Sequence, residues 1–252
     1  MKPIRLSLSL TGIVAFIAVT AGCGLFGSQE KPYRGCFWPA DVELAQTDRL
    51  PEQKQTMAEL FCDVDRQLES VLVEIRAQEE VPSRQWLQGI TEEFTWLNGV
   101  FYASADGEVR RRYPEHPIKQ LDAASMLQGM EVDGHKGLRY RVQQNALGHE
   151  LALIKPLYSG LNRQGYLVAH FDLRSILRLS ANPDRMVLLN AEQVLWSGGI
   201  AESSRLLSLN WREILEDTVS DTIALNGKRF YWLARYVGRD PLIYVVEIPQ
   251  ES

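Results

Sequence analysis

The feature that most restricts the fold of this chain is a long helical repeat of apolar residues that gives way to strand-like alternation. Between Glu52 and Glu79, charged residues separate apolar residues that recur at intervals of three and four: Met57, Phe61, Val64, Leu68, Val71, Leu72 and Ile75. This spacing predicts an amphipathic helix of about 26 residues, whose apolar face must be covered by another element. From Val100 to Ser104 the period becomes two, and Asp106-Gly107 predicts a tight hairpin turn. A long helix that precedes hairpin strands predicts an α+β fold.

The order of the predicted elements occurs twice along the chain. After a second helix that runs to about Asn98, the first set comprises the Asp106-Gly107 hairpin, a short helix near 123–128, and strands over 137–144, 150–158 and 165–171. The second set comprises a hairpin around Ala191-Glu192, a helix over Trp211–Asp217, and strands over 222–225, 229–237 and 242–248. The order repeats although the sequence does not. We therefore expect two lobes, each a mainly antiparallel sheet with flanking helices, over residues 52–180 and 181–252.

The amino terminus has the layout of a secretory signal. Lys2 and Arg5 precede an apolar run that ends in small residues directly before Cys23. This segment resembles the signal and lipobox of bacterial lipoproteins. That resemblance implies a signal peptide over residues 1–22 and lipidation of Cys23. The alternative is an uncleaved membrane helix, although the run is short for a span and contains several Ser and Thr residues.

The lipoprotein resemblance also implies a location. Residues 23–51 are polar with scattered Pro and Gly, and we interpret them as a tether. We expect the protein in the cell envelope, anchored to the membrane by the lipid on Cys23. No Asp follows Cys23 to indicate retention at an inner membrane. In a cell with two membranes we expect the periplasmic face of the outer one.

Two further cysteines, Cys36 and Cys62, could pair in an oxidising compartment. Such a disulfide would join the tether to the first long helix, and closing a loop of this size contributes about 3 kcal/mol in the chain-entropy model. The alternative is two unrelated thiols.

Composition and motifs exclude several classes of function. The net charge of −5 comes without a basic block, so we expect no nucleic-acid partner. The four histidines show no zinc-ligand spacing, and the chain has no nucleophile elbow and no phosphate loop. We therefore expect neither a metal, nor a cofactor, nor an enzymatic activity.

Three stretches of the chain resemble the double-Cache sensor domains of bacteria. Residues 99–109 resemble the first hairpin of that family, residues 153–173 its last strand pair, and residues 187–196 the opening hairpin of its membrane-proximal lobe. The resemblance covers roughly residues 52–248. It implies two PAS-like lobes along the long helix, with a small-molecule ligand in the membrane-distal lobe. No second apolar run reaches spanning length, so we expect the protein to act through an unidentified membrane or envelope partner.

The candidate ligand-binding residues are polar or aromatic side chains near the expected distal pocket: Tyr102, Arg111, Arg139, Tyr140, Tyr158, His170 and Asp172. Arg139 could clamp a carboxylate, and the hydroxyl group of Tyr140 could orient it. The alternative is that these side chains are core or solvated residues. Known amino-acid binders of the family have an Asp where this chain has His170, which argues against an amino-acid ligand. A second function remains open, in which the lobes of an assembly lipoprotein bind only other proteins.

Overall fold

We describe the fold from a computed structural model, in which residues 51–130 and 137–248 are described. The first helix, α1, spans Glu52–Ala77, as its apolar period predicts, and the second, α2, spans Arg84–Glu93. Ser83 caps α2, because its hydroxyl group accepts a hydrogen bond from the backbone N–H of Trp86. The helix ends earlier than predicted, since the chain turns at Phe94 to bury that side chain before the first strand.

The first sheet contains five antiparallel strands in the order β2-β1-β5-β4-β3. The strands and helices of this part are β1 (Gly99–Ser104), β2 (Val109–Tyr113), α3 (Ala123–Leu127), β3 (Arg139–Asn145), β4 (Gly148–Ser159), β5 (Asn162–Asp172) and α4 (Leu173–Leu177). The predicted turn at Asp106-Gly107 joins β1 to β2, and Gly107 adopts a positive φ of 86° there.

The second sheet has the same topology, in the order β7-β6-β10-β9-β8. Its elements are β6 (Met186–Leu189), β7 (Val194–Trp196), α5 (Ser203–Leu207), α6 (Trp211–Asp217), β8 (Ser220–Leu225), β9 (Lys228–Val237) and β10 (Asp240–Ile248). The helix α5 was not expected from the sequence, because five residues are too few to show a helical period. The predicted α+β fold with two flanked antiparallel sheets is thereby confirmed.

The helix α1 packs against both sheets. In its first half, the ring of Phe61 stacks on Tyr244 of β10, with 4.3 Å between ring centroids. In its second half, Leu72 belongs to the same buried cluster as Leu153 and Leu167 of the first sheet. One continuous core therefore joins α1 to both sheets, which explains the length of the apolar repeat in the sequence.

The signal peptide, Cys23 and Cys36 lie outside the described residues. Cys62, on α1, is disulfide-bonded, and its bonding partner also lies outside them. The pairing of Cys36 with Cys62 thus stays a prediction. In the part of the chain that the structure describes, no helix combines the length and apolar character needed to cross a membrane.

Candidate functional site

Four charged or titratable side chains are buried together on the face of the first sheet that points away from α1. Lys119 is 6% exposed, Glu150 0%, His170 2% and Asp172 7%. Glu150 of β4 pairs directly with Asp172 of β5, and His170 lies two residues before Asp172, so the three side chains share one face. Lys119 reaches them from the segment between β2 and α3. We call these four residues the buried charged cluster.

The contacts within the buried charged cluster are short. The Nζ atom of Lys119 lies 2.5 Å from Oδ2 of Asp172 and 3.6 Å from Oε2 of Glu150. The Nδ1 atom of His170 lies 2.7 Å from Oε1 of Glu150, and the amide of Asn98 donates to both oxygens of that carboxylate, at 2.8 and 3.0 Å. A carboxylate only accepts, so the proton of this hydrogen bond resides on Nδ1 of His170. The carboxylates of Glu150 and Asp172 therefore accept from an ammonium, an imidazole and an amide group.

Asp172 has an additional partner in Arg174. Its carboxylate caps the short helix α4 by accepting from the backbone N–H of Arg174 at 2.9 Å, and it also accepts from the guanidinium Nε of that residue at 3.0 Å. Burial alone would raise the pKa of Asp172, but the hydrogen bonds from Arg174 and Lys119 together outweigh it and lower the pKa to about 2. Asp172 is thus a carboxylate at every physiological pH, which suits it to hold a cation.

The backbone of β1 approaches the cluster closely at Gly99, which pairs with His170 across the sheet. A Cβ atom at Gly99 would lie 2.8 Å from Nε2 of His170, so any side chain there would push the imidazole ring away. Beside the ring is a cavity of about 10 Å³, bordered by Pro114, Pro117 and Leu121. That volume is about one water molecule, so this cavity is too small for an organic ligand in this conformation.

On the central strands β1, β4 and β5, the rest of this sheet face carries mostly apolar side chains. Met126 and Leu127 of α3 pack against Phe101, Ile154 and Tyr166 of the sheet. The buried charged cluster therefore lies at one end of a layer whose centre is apolar.

Of the seven predicted ligand-binding residues, the structure brings only His170 and Asp172 into the buried charged cluster. Tyr102 faces α1, on the opposite side of the sheet, and its hydroxyl group donates to the carbonyl oxygen of Gln164 at 2.8 Å. Arg111 is exposed and donates to the carbonyl oxygen of Pro82 at 2.9 Å. Tyr158 is half-buried near the turn between β4 and β5. Tyr102 and Arg111 lie on the other face of the sheet, and Tyr158, although alternation places it on the face of the carboxylates, is eight residues along β4 from Glu150.

Arg139 and Tyr140 lie at the contact between the two sheets. The guanidinium of Arg139 forms two hydrogen bonds with the carboxylate of Asp240, at 3.1 and 2.9 Å, and the hydroxyl group of Tyr140 donates to the carbonyl oxygen of Pro241 at 2.6 Å. Both residues begin β3, at the strand end that meets the second sheet. The structure therefore places them at this junction, and the carboxylate-binding role stays a prediction.

Sequence reasoning missed Lys119, Glu150 and Asn98. Glu150 did carry a signal, because it is the single acid in a strand where it alternates with Ala152 and Ile154 on one face. Lys119 carried none, since it stands in an irregular segment 53 residues from its partner Asp172.

Neither the protein-family models nor the curated proteins include a match to this chain, but solved structures resemble it. An extracellular ligand binding receptor from Desulfohalobium retbaense matches 78% of this chain with a TM-score of 0.51 and 10% identity, and the match covers 39% of that receptor. The ligand-binding domain of the Pseudomonas aeruginosa amino acid chemoreceptor PctC, in complex with GABA, matches 78% of this chain and 99% of its own, with a TM-score of 0.52 and 10% identity.

A third similar structure is the ligand-binding domain of the Pseudomonas fluorescens chemoreceptor CtaA, in complex with L-isoleucine. It matches 78% of this chain and 91% of its own, with a TM-score of 0.50 and 10% identity. Structural similarity at 10% sequence identity shows a shared fold and nothing more specific. The chain thus has the α+β fold of Cache-type, PAS-like domains, and its function must be argued from its own residues.

Proposed function

We propose that this protein is a lipid-anchored extracytoplasmic sensor, which binds a small molecule at the buried charged cluster and acts through a membrane or envelope partner. The observation that carries the proposal is the cluster itself. Burying charged groups costs several kcal/mol per ion, and a buried pair is weak evidence for stability. Capping of α4 accounts for Asp172 alone, and the apolar centre of this sheet face gives no structural reason for the other three groups. Their convergence is typical of a recognition site.

The proposal assigns no catalytic role to the cluster. Its donors and acceptors are already paired with one another at 2.5 to 2.8 Å for the closest contacts. In this arrangement the cluster presents neither an activated nucleophile nor an open position at which a reacting atom could lie. The proposal therefore assigns ligand binding to the cluster.

The membrane anchor is part of the proposal and rests on Cys23. Acylation would use the thiol of Cys23, so among the three cysteines only Cys36 would remain to bond Cys62. Replacement of Cys23 by Ser is expected to move the protein from the membrane fraction to the soluble fraction and to abolish its labelling with radioactive palmitate. The change Cys36→Ser is the control and should leave both properties intact. Palmitate labelling that persists in the Cys23→Ser variant would contradict the anchor.

The sensing role is tested by a thermal-shift screen of the full chain in detergent against amines, carboxylates, amino acids, purines and sugars. A ligand at about a hundred times its dissociation constant adds about 2.7 kcal/mol to the free energy of unfolding. We expect a shift of several degrees that Glu150→Gln abolishes. The change Glu80→Gln, on an exposed side chain after α1, should leave the shift unchanged.

A second candidate function is that of a non-catalytic assembly lipoprotein, whose lobes bind only other proteins. The observation that favours it is the packing of α3, because Met126 and Leu127 occupy the sheet face where a ligand would otherwise lie. A screen without any hit on well-folded protein would support this function over sensing.

A further inference from the structure

We propose that the second sheet has a binding site of its own, which takes a small zwitterion with its cationic nitrogen at Asp184 and its oxyanion at Arg185. The site is a cavity of about 260 Å³, lined by Asp184, Arg185, Gly199, Ile200 and Glu247. We call it the second-sheet cavity. It belongs to a different sheet from the buried charged cluster, so this inference goes beyond the proposed function and does not depend on it.

The second-sheet cavity lies at the same end of its sheet as the buried charged cluster does in the first. Both sheets have one topology. Glu247 of β10 pairs with Phe230, the third residue of β9, just as Asp172 of β5 pairs with the third residue of β4. In each sheet, the segment that follows the second strand lies over this end. The repeated architecture therefore places two comparable sites in the chain.

The two sites differ in the segment that covers them. In the first sheet, residues 114–122 insert Lys119 into the cluster, and the adjacent cavity measures about 10 Å³. In the second sheet, the covering segment 197–202 is shorter, and Gly199 lines the cavity without a side chain. The second-sheet cavity is therefore open in this conformation, and its volume is close to the lower limit of small-molecule pockets, about 300 Å³.

The turn that carries the two charged side chains is held in place from the opposite wall. The indole N–H of Trp196 donates to the carbonyl oxygen of Pro183 at 2.9 Å, and the backbone N–H of Gly199 donates to that of Asp184 at 2.8 Å. Gly198 has a φ of 53°, and a Cβ atom there would lie 2.5 Å from the same Asp184 oxygen. Only glycine permits this close approach. The turn is thus preorganised, which lowers the cost of binding.

The charges available at the cavity are of opposite sign. Within the part of the chain that the structure describes, neither Asp184 nor Arg185 has an ion pair or a side-chain hydrogen bond, and both are exposed. Glu247 differs, because its carboxylate lies 3.2 Å from the ammonium of Lys228. A cationic nitrogen suits Asp184, and the guanidinium fork of Arg185 suits a carboxylate or phosphate. Ile200, 7% exposed, offers an apolar contact for a short carbon chain.

Calorimetric titration of the full chain in detergent tests the requirement for both charges. The probes are β-alanine and phosphoethanolamine, zwitterions that carry an ammonium and an oxyanion on a two-carbon chain. Ethylammonium and propionate each keep only one of the two charges of β-alanine. We expect saturable binding of at least one zwitterion, and about tenfold weaker binding or none for the singly charged compounds, since each charged hydrogen bond contributes to affinity.

Single substitutions locate the site. Arg185→Gln and Asp184→Asn each remove one charge at nearly constant size, and both positions are exposed, so the fold is retained. We expect each variant to bind the zwitterion about tenfold more weakly than wild type. Arg212→Gln, on an exposed position of α6 beside the same sheet, is the matched control and should bind with unchanged affinity.

Gly199→Leu tests the cavity itself. A Cβ atom at Gly199 would meet only the Asp184 carbonyl oxygen, at 3.6 Å, which is an ordinary contact. The leucine side chain can therefore occupy the cavity without backbone strain. We expect this variant to keep the wild-type melting temperature and to lose zwitterion binding. Gly89→Leu adds the same side chain at an exposed position of α2, where its Cβ atom meets nothing within 4 Å, and should bind as wild type does.

The second site is overturned if neither zwitterion binds the wild-type protein, or if Gly199→Leu and Arg185→Gln bind as well as wild type. Glu150→Gln separates this outcome from that of the proposed function. It should abolish the response to the ligand found in the screen and leave zwitterion binding at the second-sheet cavity intact. Zwitterion binding that is lost in Glu150→Gln but kept in Gly199→Leu would place the zwitterion at the buried charged cluster and contradict the second site.

Discussion

The change Glu150→Leu is expected to lower the free energy of unfolding by about 3–5 kcal/mol, the usual cost of removing one partner of a buried ionic network. The carboxylate of Glu150 is completely buried and accepts hydrogen bonds from His170 and Asn98, and it also faces the ammonium of Lys119. Leucine has a similar volume but accepts no hydrogen bond. The imidazole N–H and the Asn98 amide would therefore remain buried without an acceptor.

A second variant separates the charge of Glu150 from its hydrogen bonding, and a third serves as the control. Glu150→Gln keeps one carbonyl oxygen that can accept from His170 or Asn98, so its loss of stability should be clearly smaller than that of Glu150→Leu. Glu80→Leu, on an exposed position, should change the free energy of unfolding by less than about 0.5 kcal/mol. Urea unfolding of the three variants gives the comparison. A Glu150→Leu variant as stable as wild type would show that Glu150 is not part of a coupled network.

The fold was predictable from the sequence because its signals are local. The period of three and four placed α1 to within two residues of its observed end, Ala77. The Asn226-Gly227 dipeptide that joins β8 to β9 is an equally local signal, because both residues adopt the positive φ that such a two-residue hairpin requires, 53° and 78°. Each of these features depends on neighbouring residues alone, so a single sequence contains the information.

The candidate site was less predictable because its contacts are long-range. Arg139 and Asp240 are separated by 101 residues, and no local pattern pairs them. The sequence therefore indicated a ligand-binding arginine where the structure has a junction between the sheets. His170 and Asp172 were found because the resemblance to Cache domains places the end of this strand near the ligand, whereas Lys119 joins them only through the tertiary structure.

The stability of the wild-type protein is expected to decrease as the pH rises through about 6, because of Asp65 on α1. This carboxyl group is 2% exposed. Burial raises its pKa from 3.8 to about 6, and the nearby Glu69 contributes to the increase. Arg235, with Nε at 2.8 Å, and the hydroxyl group of Tyr244, at 3.4 Å, act in the opposite direction without cancelling it.

The sign of the effect follows from the two pKa values. Between pH 3.8 and about 6 the folded protein holds a proton on Asp65 that the unfolded chain releases. The contribution of Asp65 to stability is therefore complete below pH 3.8 and is lost as the pH rises through 6. The full difference amounts to about 3 kcal/mol, of which about 1.5 kcal/mol falls between pH 5 and pH 7.5.

Asp65→Asn isolates this contribution, because asparagine does not titrate. We expect the free energy of unfolding of wild type minus that of Asp65→Asn to fall by about 1.5 kcal/mol between pH 5 and pH 7.5, measured by urea unfolding. Asp63→Asn, on the exposed side of the same helix, should keep the wild-type profile. Asp172 does not interfere, since its pKa is lowered to about 2 and its own titration lies below this range. A difference that stays constant or increases with pH would mean that Arg235 outweighs burial and keeps Asp65 ionised throughout.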